Sequence, residues 1–459
     1  RIAWHQVATG SARVVVGARS ALFLPFDQLG LIIVDEEHDP AFKQEDGVRY
    51  HARDMAIVRA RLNDCPAVLA SATPALESVV NAQSGRFQHL TLASRFGDAV
   101  LPDLHAIDLK EDGPEPGHFL SHTLVSEAAR TISRGEQVLL FLNRRGYAPL
   151  TLCRNCGHRF ECPQCDAWLV EHRFKRELHC HHCGYHAPRP PRCPECGEEH
   201  LVAIGPGVER ILEEISEALP DARIAVLSSD MLMADHARDR MSAAGPPKSL
   251  RALAHQRIHE FARGDFDLMI GTQIIAKGHH FPKLTLVGVV DADLGLAGGD
   301  LRAAERTYQL LTQVAGRAGR EERSGKVLLQ TYDPHHPVIA ALTSGDTAAF
   351  RAAELEERKR IAMPPYGRLA SLILTSRDRE LMERFARALA ARAPRAPGLM
   401  VLGPAPAPLA LIRGFHRMRF LIKAPLEMRL QPVLADWLAT LKAPSALRII
   451  VDMDPQSFA

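Results

Sequence analysis

An acidic run follows a strongly apolar stretch near the start of the chain. Residues 31–34 (Leu-Ile-Ile-Val) lead directly into Asp35, Glu36, Glu37 and His38. Four consecutive large apolar residues are typical of a strand buried on both faces of a parallel sheet, and such sheets bind ligands at the carboxyl ends of their strands. Asp35 can there hold Mg²⁺, and Glu36 can orient the water that attacks a γ-phosphate. By itself the run is explained equally well as an acidic turn after a core strand.

Two further stretches predict neighbours for this strand. Val14–Gly17 predicts a short strand, and Ala67–Ala70 predicts another that ends in Ser71-Ala72-Thr73-Pro74. Hydroxyl groups beside an acidic strand end can link phosphate occupancy to neighbouring elements. The alternative is a plain Ser/Thr turn before a helix, with Pro74 near its first turn.

Aromatic and basic side chains alternate in the loop that follows the acidic run. The members of this set are Phe42, Lys43, Arg49, Tyr50 and Arg53. Such a loop can stack bases while its cations meet phosphates, which would place DNA beside the hydrolysis site. The alternative is a solvated loop whose aromatic rings merely pack against the domain.

Eight of the nine cysteines form four Cys-x-x-Cys pairs within 44 positions, whereas Cys65 stands alone as a small core residue. Four thiolates satisfy one tetrahedral Zn²⁺, so eight predict two closed structural sites. Only five residues separate the first two pairs, whereas the two inner pairs have a spacing close to that of a zinc ribbon. We therefore expect the inner pairs to share one zinc and the outer pairs the other. The inner thiols are Cys162, Cys165, Cys180 and Cys183, and the outer thiols are Cys153, Cys156, Cys193 and Cys196. Nearby histidines are alternative ligands.

The composition is that of an ordinary globular protein without a global charge. The 459 residues are 46% hydrophobic and 24% charged, with 56 Lys and Arg against 54 Asp and Glu. Any nucleic-acid contact must therefore come from local patches. No apolar run has membrane-spanning length and no secretory signal is evident, so we expect a cytoplasmic protein with no membrane partner. The start at Arg1 predicts a fragment that lacks its true N-terminus.

A second α/β pattern follows a Pro- and Gly-rich stretch near 97–120, which is the best linker candidate in the first half. A helix is expected from Val208 to Leu219, and residues 230–255 are interpreted as a surface insertion. The predicted buried strands are 137–142, 223–227, 267–270, 284–290 and 327–331.

Two motifs lie at the ends of these strands. Gly271-Thr272-Gln273 begins a segment that reaches Lys277, and it offers backbone amides, a hydroxyl, an amide and an amine. The other motif runs from Gln313 to Arg320. Arg317 and Arg320 are three residues apart, which predicts one face of a helix. Guanidinium groups delivered across an interdomain cleft stabilise charge on a transferring phosphoryl group.

The C-terminal part predicts a β-α-β-β-α-β order, which is a ferredoxin-like plan. Its hairpin carries Arg413, Arg417 and Arg419 with Phe415 and Phe420 and no acidic residue. That composition suits single-stranded DNA or a phosphate backbone, with an ordinary soluble strand face as the alternative.

The motifs together resemble those of superfamily 2 helicases and, more narrowly, those of the primosomal protein N′ family of bacterial replication-restart helicases. The motifs concerned are Asp-Glu-Glu-His, Ser-Ala-Thr-Pro, Gly-Thr-Gln…Lys-Gly-His and Gln-Val-Ala-Gly-Arg-Ala-Gly-Arg, with the paired cysteines between them. The resemblance implies an α/β fold with two RecA-like parallel-sheet helicase lobes, a two-zinc cysteine-rich insertion in the second lobe and a C-terminal ferredoxin-like α+β domain. The expected boundaries are 1–115 for lobe 1, 116–335 for lobe 2, 151–199 for the insertion and 336–459 for a C-terminal DNA-binding domain.

The resemblance also implies an activity: ATP-driven 3′→5′ unwinding, with binding to stalled forks and D-loops. Expected partners are forked and single-stranded DNA, single-strand-binding protein and other primosome proteins. By motif, Asp35 and Glu36 serve Mg²⁺ and hydrolysis of ATP, and Arg317 and Arg320 sense the nucleotide. The other predicted nucleotide-site residues are Glu37, His38, Thr73, Gly271 and Gln313, and Lys277 joins the predicted DNA contacts. The loop from Phe42 to Arg53 is similar to an aromatic-rich coupling loop of the family.

One element of the family pattern is absent from this sequence. Gly-x₄-Gly-Lys-Ser/Thr, the phosphate-binding loop of such enzymes, does not occur, and Gly325-Lys326 is followed by Val327. We therefore expect this chain alone not to turn over ATP. A non-catalytic, zinc-stabilised DNA-binding and primosome-assembly scaffold is the alternative function. An RNA-directed helicase of the same superfamily is a third hypothesis.

Overall fold

The computed structural model comprises two units, each described separately below. One contains residues up to Leu90 together with those from Leu355 onward, and the other runs from Thr91 to Glu354. The residues that the structure describes are 2–92, 102–116, 118–143, 150–163, 169–172, 177–179, 185–199, 201–204, 208–227, 249–272, 281–296, 302–319, 325–412 and 414–457. None of the helices within these ranges is both long and apolar enough to cross a membrane.

The acidic strand is β1, Ile32–Asp35, and it pairs in parallel with β4, Ala67–Ala70. Asp35 lies opposite Ala70, so the acidic run and the Ser-Ala-Thr turn leave the same edge of the sheet. The expectation that β1 is buried on both faces is wrong for the described residues, because Ile33 is 63% exposed. Only two strands form this sheet in the part of the chain described, and the paired residues Ile33 and Val68 are both exposed.

The strand expected at Val14–Gly17 does not form. These residues have no regular structure, and Val16 is 97% exposed. A strand needs a partner for its backbone groups, and no described strand pairs with this stretch. The remaining elements of residues 2–90 are α1 Ile2–Ala8, the 3₁₀ turns Arg19–Phe23 and Pro40–Phe42, β2 Lys43–Gln44, β3 Tyr50–His51, α2 Ala52–Leu62 and α3 Leu76–Gln83.

The second unit is built on a six-stranded parallel sheet in the order β12-β13-β6-β14-β15-β5. Its strands are β5 Asp103–Asp108, β6 Gln137–Phe141, β12 Ile224–Leu227, β13 Leu268–Gly271, β14 Leu284–Val289 and β15 Lys326–Thr331. Its helices are α4 His122–Ser133, α5 Val208–Ala218, α6 Leu250–Arg263, α7 Ala303–Ala315, α8 Pro337–Ser344 and α9 Thr347–Arg360. The last of these crosses from this unit into the other.

The predicted burial of this sheet on both faces is confirmed at its centre. In β6, Leu139 and Phe141 belong to one apolar cluster, whereas Val138 and Leu140 belong to the cluster on the opposite face. Successive side chains of a strand point to opposite faces. A strand covered by helices on both sides therefore needs the continuous apolar run that the sequence contains.

Two boundaries of the second unit differ from the expected ones. β5, which falls within the linker candidate and the expected lobe 1, pairs along its whole length with β15 at the sheet edge. At the other end, Val338, Ile339 and Phe350 are buried in the core of this unit rather than in the C-terminal domain. Each segment contributes apolar side chains to the described core of this unit. The expected insertion at 230–255 lies largely outside the described residues, and its end belongs to α6.

The cysteine-rich segment forms an antiparallel sheet of short strands in the order β10-β9-β8-β7-β11. The strands are β7 Leu150–Cys153, β8 Val170–His172, β9 Glu177–His179, β10 His186–Pro188 and β11 Leu201–Ile204. Its described core consists of only four side chains apart from the cysteines. So small a core is too thin to stabilise a domain without a metal or disulfides.

The C-terminal domain has the β-α-β-β-α-β order that the sequence predicts. It comprises β16 Gly367–Ser376, α10 Arg379–Ala390, β17 Met400–Ile412, β18 Phe415–Pro425, α11 Leu430–Ala439 and β19 Leu447–Met453. The antiparallel sheet has the order β17-β18-β16-β19, so each βαβ connection skips over one strand, as a ferredoxin-like fold requires. Phe420 and Trp437 meet edge to face in its core.

Candidate functional site

Asp35 and Glu36 lie exposed at the carboxyl end of β1. The backbone amide of Glu36 donates to Asp35 Oδ1 at 3.0 Å. Glu36 itself has φ of +49°, the left-handed region that non-glycine residues rarely adopt and that often marks a functional turn. This turn presents two carboxylates to solvent at the edge of the sheet where ligands of such sheets bind.

Glu37, the third acid of the run, is buried and ties three elements together. Its Oε1 accepts from the Ala75 amide at 2.7 Å, just before α3. Its Oε2 accepts from Ser78 Oγ at 3.0 Å and from Arg53 Nη1 at 3.2 Å. A carboxylate that is 1% exposed needs such partners to offset its desolvation. Glu37 therefore connects the acidic strand end to the Ser-Ala-Thr-Pro turn and to α2.

His38 connects the same two strand ends a second time. Its Nδ1 lies 2.6 Å from Ser71 Oγ, and Glu36 Oε2 lies 3.6 Å from the same nitrogen. Ser71 Oγ also accepts from the Thr73 amide at 3.0 Å, and Thr73 is buried. The two motifs that the sequence placed side by side are thus joined by side-chain hydrogen bonds.

The loop that was predicted to contact DNA is held on the C-terminal domain. Lys43 Nζ lies 2.8 Å from Asp452 Oδ1, and Arg49 Nη1 lies 3.1 Å from Asp452 Oδ2. Tyr50 packs edge to face on Phe23, with 5.2 Å between the ring centroids. Lys43 and Arg49 are therefore ion-paired within the protein, a use that the sequence did not predict.

Arg53 and its neighbour His51 are buried at the start of α2. Besides Glu37, Arg53 binds Asp54, whose Oδ1 lies 3.0 Å from Nε. Desolvation lowers the pKa of Arg53, but the carboxylates of Asp54, Glu77 and Glu37 outweigh it and raise that pKa above its usual range. Burial first, and the nearby cation of Arg53 second, lower the pKa of His51 to about 4. His51 is therefore neutral at pH 7. The guanidinium group of Arg53 is buried and paired with the buried Glu37 and the exposed Asp54, and Phe42 is half-buried.

The described residues of the C-terminal hairpin place their arginines differently. Arg419 is buried, whereas Arg417 is half-buried; burial, with a further contribution from the cation of Arg49, lowers the pKa of Arg417. Arg417 and Arg49, two predicted DNA contacts some 370 positions apart, are thus close enough to interact electrostatically. Arg413 lies outside the described residues.

In the second unit, the predicted nucleotide residues lie on separate elements. Gly271 ends β13, and Gln313 lies in the last turn of α7. The expectation that Arg317 lies on a helix is wrong, because α7 ends at Ala315 and Arg317 follows in a turn. Glycines at 316 and 319 favour that ending, the second with φ of +63°. Lys277 and Arg320 fall outside the described residues.

The outer cysteine pairs form a four-thiol cluster. The Sγ atoms of Cys153, Cys156, Cys193 and Cys196 all lie within 4.8 Å of one another. Cys153 Sγ is 3.5 Å from Cys196 Sγ, and Cys156 Sγ is 3.6 Å from Cys193 Sγ. Four sulfurs at about 2.3 Å from a tetrahedral Zn²⁺ would be about 3.8 Å apart, so the cluster fits zinc.

Both halves of this cluster have the same local structure. Gly157 donates its amide to Cys153 O at 2.8 Å, and Gly197 donates to Cys193 O at 2.9 Å. Both glycines have positive φ, 73° and 77°, so Cys-x-x-Cys-Gly is the sequence signal for each turn. The turn aims backbone amides at sulfur, and the amide of Glu198 is the main reason that the pKa of Cys196 falls to about 6. Burial raises the pKa of Cys156 to about 12.

Two neighbouring acids that follow β14, the half-buried Asp291 and the buried Asp293, were missed by the sequence reasoning. Asp293 accepts from the Tyr332 amide at 2.7 Å and pairs with Arg159, which lies between the first two Cys-x-x-Cys pairs along the chain. Burial, together with Asp293, raises the pKa of Asp291 to about 7. A Cβ on Gly157 would lie 3.0 Å from the Tyr332 ring. The outer thiol cluster is therefore packed and ion-paired against the end of the parallel sheet.

Comparison with known proteins now decides the family. A replication restart protein PriA from Rickettsia felis is 44% identical over 453 residues, which cover 98% of this chain and 67% of the relative. The chain belongs to the PriA family. The relative from Bacillus subtilis is 38% identical, with 98% of this chain and 55% of that protein covered. The solved structure of RecG bound to a three-way DNA junction is 15% identical, with a TM-score of 0.36 over 78% of this chain and 34% of RecG, which is too distant to bear on function.

Two family models match separate parts of this PriA-family chain. The PriA DNA helicase Cys-rich region domain matches residues 162–188, which contain all four inner cysteines. The primosomal protein N C-terminal domain matches residues 359–456. Of the inner four, Cys162 is described and buried, whereas Cys165, Cys180 and Cys183 lie outside the described residues. The second zinc site stays a prediction from spacing.

Proposed function

We propose that this chain is the motor core of an ATP-dependent DNA helicase that unwinds 3′→5′ and acts in replication restart. Its substrates would be stalled forks and D-loops, and its partners single-strand-binding protein and other primosome proteins. One observation carries most weight: two exposed carboxylates leave a sheet edge that buried hydrogen bonds join to the neighbouring strand.

Asp35 and Glu36 would supply the carboxylates that phosphate chemistry requires. A bound Mg²⁺ would neutralise charge on the nucleotide phosphates. Asp35 offers an exposed carboxylate for holding that ion, directly or through water. Glu36, adjacent and also exposed, would accept a hydrogen bond from the attacking water and orient it. The Glu36 side chain is 51% exposed although it lies 3.6 Å from His38 Nδ1, whereas Glu37 is buried.

The Glu37 and His38 contacts suggest how occupancy of the site reaches its neighbours. His38 Nδ1 lies within hydrogen-bond distance of Ser71 Oγ, and Ser71 in turn holds the turn at Thr73. A shift of the acidic turn on nucleotide binding would move this second strand end with it. We therefore assign Glu37, His38 and Thr73 mainly to positioning the site. Direct contact with the nucleotide would be made by the other predicted residues, Gly271, Gln313, Arg317 and Arg320.

DNA contact would be made by the exposed parts of the aromatic-rich loop and the C-terminal hairpin. Arg49 and Arg417 are near enough for each other's charge to matter, so a phosphate between them would relieve their repulsion. Lys277 and Arg413 complete the predicted set. Zinc at the outer cluster would hold the cysteine-rich region against the parallel sheet, where Arg159 meets Asp293.

The direct test is ATP hydrolysis and unwinding by the full-length protein on forked DNA. Glu36→Gln should lower ATP turnover by about 10²–10⁴-fold while nucleotide binding persists, because the acid orients water and does not hold the phosphates. Cys65→Ser, which changes an isolated cysteine, serves as the control. Normal unwinding by Glu36→Gln would refute the motor assignment to this site. If the wild-type protein assembles on forks without hydrolysing ATP, the scaffold function is favoured. If RNA stimulates ATP hydrolysis more strongly than forked DNA does, an RNA helicase is favoured.

A further inference from the structure

A buried ion pair joins two parts of the chain that are about 400 positions apart. We name residues 43–51 the clasp loop, because Lys43 and Arg49 both pair with one carboxylate in the last strand of the C-terminal domain. Lys43 Nζ and Asp452 Oδ1 are 2.8 Å apart, and both residues are 5% exposed. Arg49 is the more exposed partner, with 20% of its side chain accessible.

Lys43 is also held by backbone groups at the end of β19. Its Nζ donates to Met453 O at 2.6 Å and lies 3.3 Å from Asp454 O. The same residue's own carbonyl accepts from Arg19. An ammonium group buried this deeply must keep its partners, because its desolvation is otherwise uncompensated. The first residue of the clasp loop is therefore fixed to the C-terminal domain.

The far end of the clasp loop leads to the acidic site. β2 pairs with β3 so that Lys43 lies opposite His51, the residue that precedes α2. Two residues further on, Arg53 binds Glu37 Oε2, and Glu37 Oε1 accepts from the Ala75 amide. A continuous series of ion pairs, ladder contacts and hydrogen bonds thus runs from the C-terminal domain to the turn between β4 and α3.

We propose that Asp452 is a positioning residue: it fixes the clasp loop and thereby sets the orientation of the Arg53–Glu37 pair that supports the acidic turn. The C-terminal domain would then control the geometry of Asp35 and Glu36 without touching them. The consequence for hydrolysis rests on the proposed function, whereas the clasp itself does not. Hydrogen exchange reports on the clasp whether or not the protein hydrolyses ATP.

The test is hydrogen exchange on the full-length protein with Asp452→Asn, which removes the charge and keeps the shape. We expect amides of the clasp loop and of Ala75 to exchange at least about tenfold faster, because both depend on the broken pair. The amide of Leu372, at the centre of the C-terminal sheet, should be unchanged. Glu383→Gln, which breaks an exposed pair with Arg379 in the same domain, is the matched control and should change neither segment.

Two outcomes would overturn the proposal. One is unchanged exchange in the clasp loop or at Ala75; the other is faster exchange at Leu372 to the same extent, which would indicate general destabilisation of the domain. Lys43→Met supplies an independent check. If Asp452 and Lys43 act through each other, the exchange rates of the double variant should match those of the stronger single variant. Additive effects of the two substitutions on exchange would contradict the clasp. Arg49→Gln removes only the exposed partner and gives a milder variant should Asp452→Asn fold poorly.

Discussion

Replacing the buried acid Glu37 should destabilise the turn that carries Asp35 and Glu36. Glu37→Gln keeps an oxygen for the Ala75 amide but removes the charge that opposes Arg53. Breaking a buried ion pair from one side costs about 3–5 kcal/mol. Asp54 still holds Arg53 Nε at 3.0 Å, so we expect the lower end, about 3 kcal/mol. Native-state hydrogen exchange of the full-length protein measures this as an increase of roughly 100-fold at Ala75.

The neighbouring acid provides the matched control. Glu36→Gln is the same substitution one residue earlier, at a side chain that is 51% exposed. We expect exchange at Ala75 to stay within about 0.5 kcal/mol of wild type, as for most surface substitutions. ATP turnover should fall by about 10²–10⁴-fold, the usual contribution of a positioned acid or base. Equal destabilisation by the two variants, or a Glu37→Gln protein that exchanges like wild type, would refute the division of roles between them.

Three further outcomes test the zinc cluster, its docking and the clasp-loop histidine. Metal analysis should find two zinc ions per chain in wild type and in Cys65→Ser but one in Cys156→Ser. An unchanged zinc content in Cys156→Ser would exclude the outer cluster as a zinc site. Arg159→Gln should lower the free energy of unfolding by about 3 kcal/mol, because it leaves the buried carboxylate of Asp293 without this ion pair. Arg192→Gln, which breaks an exposed ion pair, should change the free energy of unfolding little. Because the pKa of His51 is lowered in the folded state, the unfolded chain takes up the proton at a higher pH. The contribution of neutral His51 to the free energy of unfolding is therefore complete above pH 6.5, and that free energy should fall by about 3 kcal/mol toward pH 4. A His51→Gln variant with the same loss over that pH range, followed by denaturant unfolding, would contradict this.

Apolar runs predicted the second unit and the C-terminal domain well, because their strands are covered on the faces that the patterns indicate. β6 is apolar at every position from Val138 to Phe141, and both of its faces are buried. The edge strand β5 escaped notice because its apolar residues alternate with polar ones between Pro- and Gly-rich flanks. An edge strand needs only one partner, so its sequence signal is weaker than that of a central strand.

Residue type alone did not separate exposed cations from internal ones. Lys43, Arg49 and Arg53 all read as contacts for phosphate, yet Lys43 and Arg53 are buried beside acids. Asp452, the partner of Lys43 and Arg49, lies about 400 positions away along the chain. Glu37, the partner of Arg53, is one of three consecutive acids that the sequence does not distinguish. Only the tertiary structure brings such charges together, so local composition cannot reveal the pairing. The grouping of the outer cysteine pairs was easier to predict, because the chain length between pairs limits which thiols can meet.

The three consecutive acids show how a local backbone turn assigns different tasks to like residues. Asp35 ends β1 opposite Ala70, and a turn with Glu36 in the left-handed conformation follows, in which the Asp39 amide donates to Glu36 O at 2.8 Å. Glu37 is buried after this turn, where Arg53 balances its charge and the Ala75 amide donates to it. Burial of one carboxylate holds the turn in place, and the turn keeps the other two in water, where charge can act on a ligand. A β-branched residue at position 36 would oppose the left-handed turn, so we expect Glu36→Val to disturb Glu37 and raise exchange at Ala75, whereas Glu36→Gln does not.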